Sequence, residues 1–284
     1  MPDPNHSYTY RTMTSADVPA AHALSVKLKW PHRLEDWAML QRVAEGFVVE
    51  DAGQLIGTAF ACPQGTYATI GLVIVSDAYQ GKGIGRRLME QALQACGPAT
   101  ALLNATLAGV PLYASQGFIE FGRINQHQGQ VEPLPRPALA AGERLRNATA
   151  GDLPWLLEVA KAGSGLDRTR VFDDLHDAIE RTLVFERDGQ SCAFAMLRTF
   201  GRGRVIGPIV AQTSEQARQL IAELLAELPG AFVRLDIPAD SGLGEWLSGV
   251  GLQQVDSVAQ MARGTPPQAV GGVQQFALVT QAIG

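Results

Sequence analysis

The chain has 284 residues, 46% of them hydrophobic and 18% charged, with a formal net charge of −5 at pH 7. That length suits two domains of ordinary size, and that balance builds a packed core rather than a disordered chain. The acidic excess argues against nucleic acid as the main partner, and no apolar run approaches the length that spans a membrane, so no membrane partner is expected.

Residues 1–10 are polar, with two prolines and no apolar signal region. Cys62, Cys96 and Cys192 are scattered and odd in number, without metal-type spacing. They read as free thiols of a cytoplasmic protein with no metal site. Tyr8 to Met13 has the pattern of a first strand, and Thr14 to Asp17 offers N-cap residues for an apolar helix from Val18 to Leu28. Trp30-Pro31-His32-Arg33-Leu34-Glu35-Asp36-Trp37 follows. It is open to two readings, a proline-kinked turn with buried tryptophans or a surface that binds an amine by cation–π contact and charge. Phe47 to Glu50, the Asp51-Ala52-Gly53 turn and Leu55 to Cys62 form a hairpin pattern.

The stretch from Val73 to Arg86 carries the strongest signal. Val73, Ile74 and Val75 end a β-branched strand that begins at Thr69. Gln80-Gly81-Lys82-Gly83-Ile84-Gly85-Arg86 then leads into a helix on which Ile84, Leu88, Ala92 and Ala95 share a face, closed by Gly97-Pro98. A strand, a glycine-rich loop and a helix N-terminus together make an anion site, because inward-turned N–H groups and the helix dipole both favour phosphate. The ending is not Gly-Lys-Ser/Thr, and the spacing is not Gly-x-Gly-x-x-Gly, so neither a Walker loop nor a dinucleotide fingerprint fits. A ligand-free glycine turn is the bland alternative. Further on, Ala101-Leu102-Leu103-Asn104-Ala105 is a strand pattern, and Leu112-Tyr113-Ala114-Ser115-Gln116-Gly117-Phe118 is a short helix with a glycine stop. Phe118 to Val131 reads as two final strands separated by polar residues from Asn125 to Gly129.

Gln80 to Gly85 resembles the acetyl-CoA signature Gln/Arg-x-x-Gly-x-Gly/Ala of the GNAT superfamily of N-acetyltransferases, and the Asn104 strand with Leu112-Tyr113 through Gly117-Phe118 is similar to a second segment of that family. The resemblance implies that Val73, Ile74 and Val75 pair with the pantetheine arm and that Gln80, Gly81, Lys82, Gly83, Ile84, Gly85 and Arg86 hold the pyrophosphate of acetyl-CoA as co-substrate. It further implies that Asn104 and Tyr113 are catalytic, Tyr113 protonating the leaving thiolate. It places the acceptor near Trp30, His32 and Asp36. No carboxylate stands on the inner part of the central strand, which leaves His32, Asp36 or a chain of waters as the base.

Glu132 to Gly142 has three alternating prolines and reads as a semi-rigid linker. Beyond it the pattern repeats. Arg11 to Pro19 matches Arg146 to Pro154, Glu50 to Gln54 matches Glu186 to Gln190, and Leu112 to Phe118 matches Trp246 to Leu252, at offsets of 135, 136 and 134. The chain therefore divides into a catalytic domain at 1–134, a linker at 135–142 and a degenerate copy at 143–284. In the copy, Gln212 to Ala217 has no glycine, Leu247 stands at the place of Tyr113, and Asp236 at that of Asn104. The second half also resembles tandem two-domain GNAT proteins of the YitH-like kind in Ile206 to Ala211, Leu235 to Pro238 and Gly165-Leu166-Asp167-Arg168. Asp167 then either faces the acceptor or caps a helix, with Arg168 in solvent.

The expected fold class is α/β (α+β), two tandem GNAT-like domains, each a mixed and mostly antiparallel sheet flanked by helices. The expected activity is direct transfer of an acetyl group from acetyl-CoA to a primary amine, a small molecule or amino acid, in a monomer or homodimer. The alternatives are an acyl-CoA-binding regulatory module, a structural tandem protein and a protein-modifying acetyltransferase.

Overall fold

The computed structural model describes residues 7–284. The polar start expected over residues 1–10 falls largely on residues outside this range. The first half runs β1 (Thr9–Thr12), α1 (Val18–Lys27), α2 (Leu34–Val43), β2 (Glu45–Asp51), β3 (Gln54–Gln64), β4 (Tyr67–Val75), α3 (Ile84–Cys96), β5 (Thr100–Ala105), α4 (Val110–Ala114) and β6 (Ile119–Gln130). The second half repeats this order as β7 (Glu143–Asn147), α5 (Leu153–Ser164), α6 (Thr169–Leu175), β8 (Ile179–Arg187), β9 (Gln190–Phe200), β10 (Gly203–Ala211), α7 (Ser214–Leu225), β11 (Phe232–Pro238), α8 (Gly244–Gly249) and β12 (Gln253–Arg263). A last strand, β13 (Gln274–Ala277), has no counterpart in the first half.

The repetition reaches atomic detail. Thr14 and Thr149 open equivalent 3₁₀ turns with φ/ψ of −113°/169° and −112°/168°, each closed by a capping box to the aspartate three residues on. Arg11 binds Asp17 at 2.7 Å and also pairs with Glu50; Arg146 binds Asp152 at 2.7 Å and also pairs with Glu186. The guanidinium beside each aspartate holds its carboxyl far below the usual carboxylate range.

All the strands join in a single mixed sheet, in which β1 to β5 are followed by β12, β6, β11, β10, β9, β8 and β7. Among the described residues only β4–β5 and β10–β11 pair in parallel, and every other pairing is antiparallel. The hydrogen bonding crosses the division of the chain at 135–142. β6 pairs with β11 and β12 of the second half, and β12 inserts between β5 and β6. Each half thus gives its last long strand to the other. Residues 119–130, expected as two strands, form one continuous strand because ladders on both sides satisfy its backbone, polar middle included.

The three largest hydrophobic clusters among the described residues form the main cores. Ile84, Leu88, Met89 and Ala92 of α3 pack on β2 to β5, and Ala217, Leu220, Ile221 and Leu224 of α7 do the same in the second half. The third cluster joins Leu24, Trp37 and Leu40 to Leu156, Phe172 and Phe194, and so welds the two halves. Each fully buried leucine or phenylalanine contributes about 1.5–3 kcal/mol.

β4 and β5 pair only from Tyr67–Thr100 to Ile70–Leu103 and then diverge. A bulge at the same level of β4 adds one residue opposite β3, with Leu72 at φ +48° and its carbonyl held by the Thr58 hydroxyl at 2.8 Å. The second half has an equivalent bulge in β10 and diverges from β11 at the equivalent level, after Val205–Arg234. There the gap is filled. β13 pairs with Ile209, Val210 and Ala211, the residues that correspond to Ile74 and its neighbours.

Candidate active site

The open gap between β4 and β5 leads into a groove of about 590 Å³, lined by Val73, Ile74 and Val75, by Gln80, Gly81, Gly83, Ile84, Gly85 and Arg86 of the loop, and by Leu112 and Tyr113. Gly81 and Gly83 have φ of +75° and +80°, a conformation that glycine adopts without strain, and a Cβ on either would meet nothing within 4 Å. The first α3 hydrogen bond runs from Arg87 N to Gly83 O at 3.2 Å. The N–H groups of Ile84, Gly85 and Arg86 therefore have no partner among the described residues, as at any helix start. Unpaired N–H groups, open space and the positive end of a 13-residue helix suit a pyrophosphate. Gln80 bonds Val75 O at 3.1 Å and Asp77 at 3.0 Å, so its side chain braces the loop. Lys82 lies over the Tyr79 ring at 4.9 Å, and Arg86 reaches Ser115 at 3.4 Å. Of the residues expected to hold acetyl-CoA, all but Lys82 line this one groove, and they fit such a ligand.

Tyr113 lies on α4, packed edge-on to Phe118 with ring centroids 6.2 Å apart. Gly117, at φ +87°, ends this turn, and Phe118 N returns to Tyr113 O at 3.2 Å. Burial pushes the Tyr113 phenol up to about 12, so it keeps its proton at neutral pH.

A second cavity, of about 110 Å³, adjoins the groove and shares Trp30 and Thr106 with it. Gly71 and Leu72 of the bulge line the cavity while Val73 lines the groove, so the bulge stands where the two meet. The walls come from both halves: Trp30, His32 and Asn104 from the first, Phe200 and Arg234 from the second. His32 packs against the Phe200 ring at 5.4 Å, and its buried Nδ1 has no partner. Burial, assisted by the nearby Arg234 charge, pushes its pKa down to about 4, so the imidazole is neutral. Asn104 donates through Nδ2 to Gln281 O at 2.8 Å, and its buried Oδ1 is unpartnered. Arg234 forks onto Asp236 through Nε at 3.0 Å and Nη2 at 2.9 Å.

Two expected acceptor residues lie elsewhere. Asp36 is buried and caps its own helix, accepting from Arg33 N at 2.8 Å, and from Gly201 N at 3.2 Å. With those donors satisfied it does not face the cavity. Asp167 accepts from Thr169 N and Oγ1 at 3.1 and 2.7 Å, a local cap. Arg168, expected in solvent, is 1% exposed and binds Gln64 Oε1 at 2.7 Å and Ile283 O at 2.6 Å. Phe200, Arg234 and Gln281 were missed from the sequence. A lone aromatic and a single arginine on a strand carry no motif, although the Leu235-Asp236-Ile237-Pro238 run adjoins Arg234.

Models of the acetyltransferase (GNAT) domain match residues 43–120 and, separately, 156–274. The chain is 30% identical over 236 residues to an uncharacterized N-acetyltransferase, YitH, of Bacillus subtilis, covering 78% of each chain. The chain belongs to the GNAT acetyltransferases. Holothin acyltransferase of a Pseudoalteromonas species is another relative, 25% identical over 209 residues, covering 71% of this chain and 68% of that one. A solved structure of a putative acetyltransferase from Pyrococcus horikoshii superposes with a TM-score of 0.77 at 21% identity, over 98% of this GNAT chain and 96% of that one. Among the described residues no helix is long and apolar enough to cross a membrane.

Proposed function

We propose that the protein transfers an acetyl group from acetyl-CoA to a small primary amine in a single ternary complex. The observation that carries this reading is the junction of the two spaces. A groove built for a phosphorylated arm meets a separate polar cavity at the β4 bulge, with a protonated tyrosine lining the groove.

The free N–H groups at the start of α3 hold the pyrophosphate, and Val73 to Val75 offer the strand edge that β13 occupies in the other half. Bound acetyl-CoA supplies an acetyl group activated as a thioester. The bulged backbone at Leu72 and Val73 polarises the carbonyl. His32, neutral and with Nδ1 free, receives the proton shed by the attacking amine and passes it to solvent, since its low pKa does not retain it. Tyr113 Oη gives its proton to the departing sulfur. The carbon–nitrogen bond forms as the carbon–sulfur bond breaks, and much of the acceleration comes from holding both reactants in place. The cavity's size supports a small acceptor, or the small end of one, over a protein surface.

The test is thiol release from acetyl-CoA against a panel of amines and amino acids, with acetyl-CoA binding measured in parallel by calorimetry. Binding together with amine-dependent release supports the reading. Absence of acetyl-CoA binding overturns it.

A further inference from the structure

Residues 278–284 leave β13 and pass from the second half into the first. Leu278 N donates to Asp236 O at 2.9 Å, and Thr280, Gln281 and Ala282 then form one wall of the small cavity. Buried groups fasten this segment along its length. Arg168 and Gln64 both donate to Ile283 O, at 2.6 and 3.0 Å, and Arg198 donates to Val279 O. At Gly71 an added Cβ would stand 2.6 Å from Ala282 O and 2.8 Å from its Cα, so the segment lies against the bulged strand backbone to backbone. Two buried guanidinium groups with no carboxylate in a salt bridge are committed to main-chain carbonyls here, a costly arrangement unless the position of the segment matters.

Gln281 touches both halves at once. Its carbonyl accepts from Asn104 Nδ2 at 2.8 Å, and its side-chain Nε2 donates to Asp236 Oδ1 at 2.9 Å. That carboxylate is the one that fixes Arg234. Two consequences follow. The Asn104 amide is turned so that Oδ1 is buried without a partner, at a cavity wall. Arg234, which lines the same cavity, has Nε and Nη2 committed to Asp236 and Nη1 left uncommitted. One cavity is therefore provided with a hydrogen-bond acceptor from one half and a charged donor from the other, and one residue holds both. A buried amide oxygen without a partner costs about 1–3 kcal/mol, which a ligand N–H would relieve.

We propose that Gln281 is a positioning residue for acceptor recognition. It aims Asn104 Oδ1 at an N–H of the incoming amine, and through Asp236 it aims Arg234 Nη1 at a carbonyl or carboxylate oxygen of the same molecule. The proposal rests on the reading of this cavity as the acceptor site.

Gln281→Met and Gln281→Ala test it beside wild type. The Met variant fills the same space without the amide donor. For each protein, acetyl-CoA affinity is measured by calorimetry, and KM and kcat for the best panel amine by thiol release. The expected result is acetyl-CoA affinity within about twofold of wild type, acceptor KM raised about tenfold in both variants, and kcat within about threefold, the loss of one charge-assisted hydrogen bond. The Met variant keeps the main-chain carbonyl that holds Asn104 and loses only the link to Asp236, so a wild-type KM would show that this link does not position Arg234 and overturns the proposal. Crystal structures of wild type and the Met variant give a second readout that needs no acceptor. Reorientation of the Asn104 amide or of the Arg234 fork supports the proposal, and both unmoved overturns it. Calorimetry reports separately whether acetyl-CoA binds at all, so failure of the acetyltransferase reading is told apart from failure of the Gln281 role.

Discussion

Replacing Gly83 by alanine separates the backbone cost of the glycine loop from its role in holding a ligand. Gly83 is the N-cap of α3 at φ +80°, with nothing within 4 Å of an added Cβ. Gly53, in the turn between β2 and β3, has φ +81° and equally open surroundings. Alanine at either position costs the left-handed strain alone, about 1–2 kcal/mol. For a chain of this size that lowers Tm by roughly 2–8 °C. The two variants diverge once acetyl-CoA is added. At Gly83 the methyl group stands beside the unpaired N–H groups of the helix start, where the pyrophosphate must approach. Losing one charge-assisted hydrogen bond of about 1.5–3 kcal/mol weakens Kd roughly tenfold to a hundredfold. Thermal unfolding and calorimetric titration of wild type, Gly53→Ala and Gly83→Ala give all the numbers needed. Equal losses of stability with a wild-type Kd for Gly83→Ala would refute the reasoning, since the loop would then not approach the ligand.

Tyr113→Phe should lower kcat about a hundredfold with acetyl-CoA affinity unchanged. Because burial raises the phenol to about 12, wild-type kcat should stay level up to pH 10; an alkaline fall centred near pH 8 or 9 would contradict the proton-donor role. His32 is held near pKa 4 in the fold against an ordinary 6.5, so the unfolded chain binds the proton first as pH falls. Stability is then lost between about pH 6.5 and 4. His32→Gln should remove that share, and urea melts at pH 7, 5.5 and 4.5 with the same acid loss in both proteins would count against a buried neutral imidazole. Gly71→Ala forces a Cβ into the backbone of Ala282 and should destabilise by about 1–3 kcal/mol while raising the acceptor KM more than the acetyl-CoA Kd. Wild-type Tm and KM would show that residues 278–284 do not press on β4.

The readable parts of the site were local in sequence. Val73 to Arg86 lies within a single strand–loop–helix unit, so glycine spacing and helical periodicity reported it directly. Tyr113 and its glycine stop were readable for the same reason. The small cavity was not, because it is assembled across the chain: Asn104 and Gln281 are 177 residues apart, and Gln64 and Ile283 are 219 apart. β6 was misjudged as two strands for a physical reason. Its inward positions include His127, 1% exposed and bonded through Nδ1 to Leu252 O at 3.0 Å, so the period of burial is real but not apolar. Arg168 misled in the same way. A guanidinium that serves backbone carbonyls in the core looks, in one dimension, like any surface arginine. The duplication itself was readable, since capping boxes and arginine forks are short-range devices, whereas the strand exchange left no trace in local patterning.

That exchange bears on how the protein comes into being. The edge of β5 in the first half is covered by β12, which is made about 150 residues later, and β6 finds one neighbour in β11. As the chain leaves the ribosome, the first repeat waits with an unpaired strand edge until β12 has been synthesised. Residues 278–284, which wall the small cavity, emerge later still. The strand that completes the sheet and the segment that walls the small cavity are thus both made after the whole of the first half.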